Sequence, residues 1–322
     1  VYETNMELIY AELKKLGFAP VLDRMGNVVV VKEGTGDAPR KRVMVSAHMD
    51  EVGLIVTSAT EDGYLRIAAA GGIDPRVLVS KRVTVGEDKL PGVIGAVPIH
   101  LQSAAERKHV LSMDELLVDI GAKNKDEAER KAPMGTYISF DTPYVEYGDG
   151  FACGKAFDDR VGCLSLLRLL QEELPVDLVA CFVSEEEVGC RGAKGAAFQQ
   201  EPDIGIVLEG TTCNDLGDVP ETAHVCEAGQ GVAVSFMDGA SIANRALFRK
   251  ALDVAKQENI PHQVKHSVSG GNDGGAIQRA REGVPVVVLS VPCRYIHSPS
   301  SVVKLSDVES QFALVKALVK AL

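Results

Sequence analysis

Arg42-Val-Met-Val-Ser-Ala-His48-Met49-Asp50-Glu51 begins as an apolar run and ends abruptly in an imidazole and two carboxylates. A short apolar run of this kind reads as a strand buried on both faces, and the polar end marks where it leaves the core. Upstream, residues 5–16 carry apolar positions at helical spacing, and Gly17 stops the helix. A strand at 28–31 lies between them. Helix, strand, turn and strand in this order read as an α/β opening.

The second half repeats the alternation. Helices are predicted over 158–172, 192–199, 241–259, 274–281 and 306–321. Strands are predicted over 176–184, 204–208, 262–268 and 284–289. The expected fold class is therefore α/β: a mixed central sheet covered by helices on both faces. The middle differs. From about 58 to 142 the chain is glycine-rich with short β-prone runs at 82–85, 92–97 and 136–140, interrupted by a charged helical stretch at 123–131. Frequent turns between short strands predict a small β-barrel-like domain inserted into the α/β sheet. The predicted boundaries are 1–57 with 143–322 for the α/β domain and 58–142 for the insert. The segment Asp141-Thr-Pro-Tyr-Val-Glu-Tyr-Gly-Asp-Gly150 returns the chain from one to the other.

Composition narrows the function. With 322 residues, 46% hydrophobic and 25% charged, the chain can bury a core without disulfide staples. A formal net charge of -11 argues against nucleic acid, which demands clustered Lys and Arg. The seven cysteines are odd in number and contain no C-x-x-C pair. Several sit in apolar runs, as Cys181 does in Leu178-Val-Ala-Cys-Phe-Val183. They read as reduced, buried thiols. No signal peptide opens the chain and no apolar run reaches a membrane span, so a cytosolic location without membrane association is expected. The first residue is Val1 and not Met, which suggests that N-terminal sequence is missing.

Five segments place metal-type ligands at predicted strand ends, where ligands of open α/β sheets bind. In His48-x-Asp50 the imidazole would ligate through one ring nitrogen while the carboxylate fixes the other; a solvated turn is the plainer reading. Asp158-Asp159 opens a predicted helix, where an N-cap is the plainer reading and a carboxylate bridging two cations the other. Glu185-Glu186-Glu187 follows a buried strand. Three adjacent carboxylates repel unless a cation offsets them, and neighbouring glutamates let one ligate while the other takes a proton from the attacking water. Glu209 ends the strand 204–208, and His297 follows the run Val286–Val291; each alone reads as an ordinary strand end or a structural histidine. Taken together, they point to a metal site. Zinc suits a mixed histidine and carboxylate set, with cobalt or manganese as alternatives.

These residues sit in stretches that resemble a known family. They are Ser-Ala-His48-Met-Asp50-Glu-Val-Gly, Gly-Gly-Ile-Asp-Pro-Arg76-Val-Leu, Val118-Asp-Ile-Gly-Ala-Lys and Lys155-Ala-Phe-Asp158-Asp-Arg. To them belong Glu186-Glu187-Val-Gly-Cys-Arg-Gly-Ala, Gly270-Gly-Asn-Asp-Gly-Gly and Arg294-Tyr-Ile-His297-Ser-Pro. Together they resemble the tetrahedral (TET) aminopeptidases, dinuclear-metal peptidases that include glutamyl and deblocking aminopeptidases and some chains once labelled endoglucanases. The resemblance implies two divalent cations bridged by Asp158, with His48 and Glu209 completing one site and Glu187 and His297 the other. It implies Glu186 as general base and Asp50 as the group orienting His48. It further implies short peptides as substrates, an insert that mediates dimerisation, and dimers assembling into a hollow tetrahedral dodecamer. The chain departs from the family pattern in three places: Glu209 where Asp is usual, Asn272 where Thr is usual, and a later start. Two rival readings follow from the same residues: a dinuclear-metal amidohydrolase acting as a deacylase or carboxypeptidase, and a non-catalytic scaffold assembling through the insert.

Overall fold

The structure is a computed structural model and describes residues 2–268 and 270–322. The chain divides into two compact units. One is Glu51–Tyr144 with His297–Ser300; the other is Tyr2–Asp50, Val145–Ile296 and Ser301–Leu322.

The larger unit is built on four parallel strands lying side by side: Asp177–Val183, Arg42–His48, Ile204–Thr212 and Val286–Arg294. Valine, isoleucine and leucine dominate them because both faces are covered. Antiparallel strands extend the sheet on either side. Val28–Lys32 pairs with Asp177–Val183, and Ser301–Lys304 pairs with the end of Val286–Arg294. Phe151–Gly154 and Val145–Tyr147 follow beyond, while Val232–Ser235 lies along Val286–Arg294 and carries His262–Val264. With Val21–Leu22 on the outer side of Val28–Lys32, the result is a mixed sheet of eleven strands.

Helices cover both faces, as the alternation of strand side chains requires. On one face Ile9 and Leu13, Leu166 and Leu169, Leu247 and Val254, and Leu314 and Leu318 pack on Val43, Val45, Leu178, Ala180, Ile206 and Leu289. On the other, Ala193, Ala196, Ala197, Ala276 and Ile277 pack on Met44, Val179, Cys181, Val207 and Val288. The alanines let two short helices, Arg191–Gln200 and Asp273–Gln278, approach the sheet closely.

The smaller unit is a closed barrel of six antiparallel strands. In barrel order they are Gly53–Ala59, Leu65–Ala70, Leu117–Asp119, Leu90–Gly95, Arg82–Val85 and Tyr137–Phe140. Strict alternation fills its interior with Leu54 and Val56, Leu65 and Ile67, Val83 and Val85, and Ile138 and Phe140. Asn124 caps the helix Lys125–Lys131 by accepting from the Glu127 N–H.

Several predicted elements shift. The helix expected over 241–259 spans Arg245–Gln257, because Asn244 caps it through the Ala246 and Leu247 N–H groups. The strand expected over 262–268 ends at Val264, and the last sheet strand runs on from Val286 to Arg294. Four short strands carry no period long enough to read: 145–147, 151–154, 232–235 and 301–304. Among the described residues no helix is long and apolar enough to cross a membrane.

Candidate metal centre and general base

The parallel register brings the candidate residues of the larger unit to one edge. Ser46 is level with Val207, so His48 and Glu209, two residues further along adjacent strands, share the same carboxyl-terminal rim. Val183 is level with His48, so Glu185–Glu187 leave the sheet beside it.

His48 is 1% exposed. Its Nε2 faces two carboxylates: Asp158 Oδ1 at 3.4 Å and Glu209 Oε2 at 3.6 Å. Its Nδ1 lies 3.2 Å from the Asp50 carbonyl and 3.5 Å from Asp50 Oδ1. The Asp50 group therefore holds the far side of the ring, and Nε2 points at the carboxylates. Asp50 has a second part that sequence reasoning did not assign. Its Oδ1 accepts from the Glu186 N–H and its Oδ2 from the Glu187 N–H, both at 3.1 Å. One carboxylate thus ties the His48 strand end to the turn bearing both glutamates.

The adjacent aspartates divide their labour. Asp159 is fully buried; its Oδ1 accepts from the Gly162 N–H at 3.0 Å, as a cap does, and its Oδ2 from the His48 N–H at 3.3 Å. Asp158 faces the site, and its Oδ1 accepts from the Gly210 N–H at 3.1 Å. Neither residue is helical: the backbone angles are φ -85, ψ 106 at Asp158 and φ -123, ψ 48 at Asp159. The helix predicted over 158–172 spans Phe157–Leu169, and these two residues interrupt its first turn while their carboxylates make long-range bonds. Gly210 permits a close approach here. A Cβ would stand 3.0 Å from both Asp158 Cβ and Oδ1.

The three glutamates also separate. Glu185 pairs with Arg191 at 3.6 Å. Glu186 turns toward Cys190, whose thiol donates to its Oε1 at 3.5 Å. Glu187 and Asp158 offer carboxylate oxygens within 4.8 Å of each other. Glu209 is buried among them and is no exposed strand end; its Oε1 meets no hydrogen-bond partner. His297 lies in the smaller unit, at the start of the stretch His297–Ser300, with φ 55.

The electrostatics fit a cation. Burial would lower the His48 pKa, but hydrogen bonds to Asp158 and Asp50 and the charges of Glu209 and Glu186 hold it well above the ordinary value. Burial pushes Glu209 and Asp159 well above the carboxylate range, against the pull of His48. Glu186 is raised by burial and by the Asp158 and Asp50 charges. Asp50 stays low: burial would raise it, and the bonds from His48 and the two glutamate N–H groups outweigh that. A buried set of acids around one imidazole is costly without positive charge. His48, Asp158 and Glu209 each offer a ligand atom within 4.8 Å of the others, and Glu209 Oε1 is an orphaned donor atom suited to a cation.

A second triad, Glu186, Cys190 and Asp273, has the same spacing. Cys190 and Asp273 lie in the family-like stretches, and nothing in the local sequence gives either a role. Asp273 follows two glycines and an asparagine, and no periodic pattern marks it as buried.

The family model for the M42 glutamyl aminopeptidases matches residues 26–314. The lysyl aminopeptidase of Pyrococcus furiosus is 33% identical, with 98% of this chain and 91% of that protein covered. Among solved structures, an aminopeptidase of the archaeon Desulfurococcus kamchatkensis superposes with a TM-score of 0.93 at 32% identity, covering 100% of this chain and 90% of that one. The TET1 peptidase of Pyrococcus horikoshii, described as assembling into a tetrahedron or a large octahedral shell, gives 0.87 at 32% identity, covering 100% and 94%. The strand-end cluster, the barrel unit and these matches agree, and the chain belongs to the M42 glutamyl aminopeptidase family of peptide hydrolases.

Proposed function

We propose that this chain is a metallo-aminopeptidase that removes N-terminal residues from short peptides, with Glu186 as its general base. The observation that carries the reading is the buried meeting of His48, Asp158 and Glu209 at one sheet edge, with Glu186 on the adjoining turn. In this reading His48, Asp158 and Glu209 hold one divalent cation, and Asp158, Glu187 and His297 hold a second. Bound there, such cations would supply an acidified water and a Lewis acid for the scissile carbonyl. Zinc is the metal best matched to imidazole and carboxylate, with cobalt and manganese as alternatives.

The protein's own groups do the rest. Asp50 keeps the His48 ring turned so that Nε2 faces the carboxylates, and it fixes the Glu186 backbone in the same stroke. Glu186, raised by burial, accepts the proton of the attacking water and later donates it to the leaving amine. The longer Glu209 reaches the site from a strand whose next residue, Gly210, leaves room for Asp158.

The P. horikoshii peptidase supports an assembly of this chain too. We assign the dimer contact to the barrel unit, the region first read as 58–142, which exposes Val97, Ile99, Leu101 and Val110. Seven unpaired thiols support a cytosolic setting. A panel of aminoacyl chromogenic substrates reads out the preferred N-terminal residue. The decisive experiment is Glu186→Gln. It should keep bound cation and fold while kcat falls on the order of a hundredfold or more. Full activity in that variant removes Glu186 as the base. Cleavage of N-acylated but not free-amine peptides by the parent chain would replace aminopeptidase with deacylase.

A further inference from the structure

Asp50 and the turn Ser184–Cys190 grip Glu186 at its N–H, its carbonyl and its Oε1. Asp50 takes its N–H. Its carbonyl accepts from the Gly189 N–H at 2.9 Å and the Cys190 N–H at 2.8 Å. Its Oε1 accepts from the Cys190 thiol at 3.5 Å. Cys190 supplies two of these bonds, and it does so from the left-handed backbone region, at φ 52 and ψ 40. A residue bearing a Cβ is disfavoured there, and glycine is the usual occupant. Keeping a side chain at this position gains the chain a donor aimed at Glu186.

The surroundings make that donor matter. Asp273 is 1% exposed, and apart from the Cys190 thiol beside it no hydrogen-bond donor reaches its oxygens. It offers an oxygen within 4.8 Å of both Glu186 and Cys190. Its seat is rigid. Asn272 donates to Asp238 Oδ2 at 2.8 Å and accepts from the Gly274 N–H, and Asp238 Oδ1 is bonded by the Ala240 and Ser241 N–H groups. Glu186 therefore packs against a second carboxyl group that gives it no hydrogen bond, and the thiol is the donor between them.

We infer that Cys190 is a positioning residue for the general base: its thiol proton engages Oε1 of Glu186 and so presents Oε2 to the attacking water. The inference rests on Glu186 being the base. Four proteins test it, each full-length and loaded with zinc: Cys190→Ala, Cys190→Ser, Glu186→Gln and the double variant Cys190→Ala with Glu186→Gln. Steady-state kinetics on an aminoacyl p-nitroanilide and zinc content per chain are the readouts. Cys190→Ala should lower kcat by about fivefold or more with KM and zinc content unchanged, since a misaimed base loses part of a general-base factor of roughly a hundredfold to ten-thousandfold. Cys190→Ser, which keeps a donor, should recover kcat to within about twofold of the parent. In the Glu186→Gln background the alanine substitution should have no further effect, because its only route is through that carboxylate. Unchanged kcat in Cys190→Ala, a serine variant as slow as the alanine one, or an equal loss in the Glu186→Gln background each overturns the inference. If Glu186→Gln is fully active, the base assignment itself falls; if it is inactive while Cys190→Ala is unaffected, only the role of Cys190 falls. Should Cys190→Ala fail to fold, methyl methanethiosulfonate applied to a Cys153→Ser chain gives the same reading. Capping of Cys190, located by mass mapping, must lower kcat with zinc retained, and full kcat in the capped enzyme refutes the role.

Discussion

Gly210→Ala is the sharpest probe of how the site is built, because it adds one methyl group and alters no ligand. The new Cβ would stand 3.0 Å from Asp158 Cβ and Oδ1 and 3.1 Å from its Cγ. Carbon contacts are comfortable at about 3.5–4.0 Å, so Asp158 must retreat by about half an ångström. The bond from the Gly210 N–H to Asp158 Oδ1 would lengthen with it. Displacing an outer support of a metal ligand typically costs about tenfold to a hundredfold in affinity. That is about 1.4–2.7 kcal/mol at 25 °C. The expected result is zinc bound more weakly by that factor and kcat/KM reduced alongside it, while urea unfolding of the metal-free chain moves by no more than about 1–3 kcal/mol. Gly217→Ala is the control, since a Cβ there meets nothing within 4 Å. Competition with a chromophoric chelator measures the affinity. Zinc binding in Gly210→Ala within twofold of the parent would refute the claim that this close approach sets the position of Asp158.

Three further outcomes follow from the geometry. Zinc at a free concentration of a hundred times its Kd should stabilise the chain by about 2.7 kcal/mol, seen in calorimetry as a rise in Tm of several degrees over the chelator-treated protein; identical melts would show that the buried acids hold no cation. Asp307→Ala should cost about 1–3 kcal/mol in urea unfolding, because its carboxylate accepts from the Gly229 and Gly231 N–H groups at 2.6 and 2.9 Å and both would be left without it. In the barrel unit, the Ser112 N–H, His109 and the Ser112 hydroxyl hold the Glu115 pKa down to about 2. A lowered carboxylate stabilises the fold above its ordinary range and loses that contribution as pH falls toward about 2. Carboxyl carbon shifts should titrate there, and a midpoint near the usual glutamate value would refute the capping geometry.

Some of the site was legible because local chemistry marks it. His48 closes an apolar run, and Glu185–Glu187 follows another, so both had to stand where the chain leaves the core. The two aspartates take different places: Asp159 accepts from the Gly162 N–H and Asp158 faces His48. No local pattern separates them, since the division depends on which carboxylate meets the His48 N–H from a strand more than a hundred residues away. Asp273 and Cys190 were missed as partners of Glu186 for the same reason. Their meeting depends on a short glycine-rich helix packing on the sheet beside the Arg191–Gln200 helix.

The amino-acid sequence by itself determined the longer elements, where apolar runs of strand or helix period lie, and that a glycine-rich barrel interrupts an α/β sheet; it left several ends and four short strands unread. These depend on neighbours within one turn or one strand, where the covalent chain sets the distances. Tertiary structure alone decided that Ser46 pairs with Val207, which puts His48 level with Glu209, and that Gly210 lets Asp158 in. Register and close approach arise from packing between segments far apart along the chain, and a one-residue slip would turn each of those side chains to the opposite face.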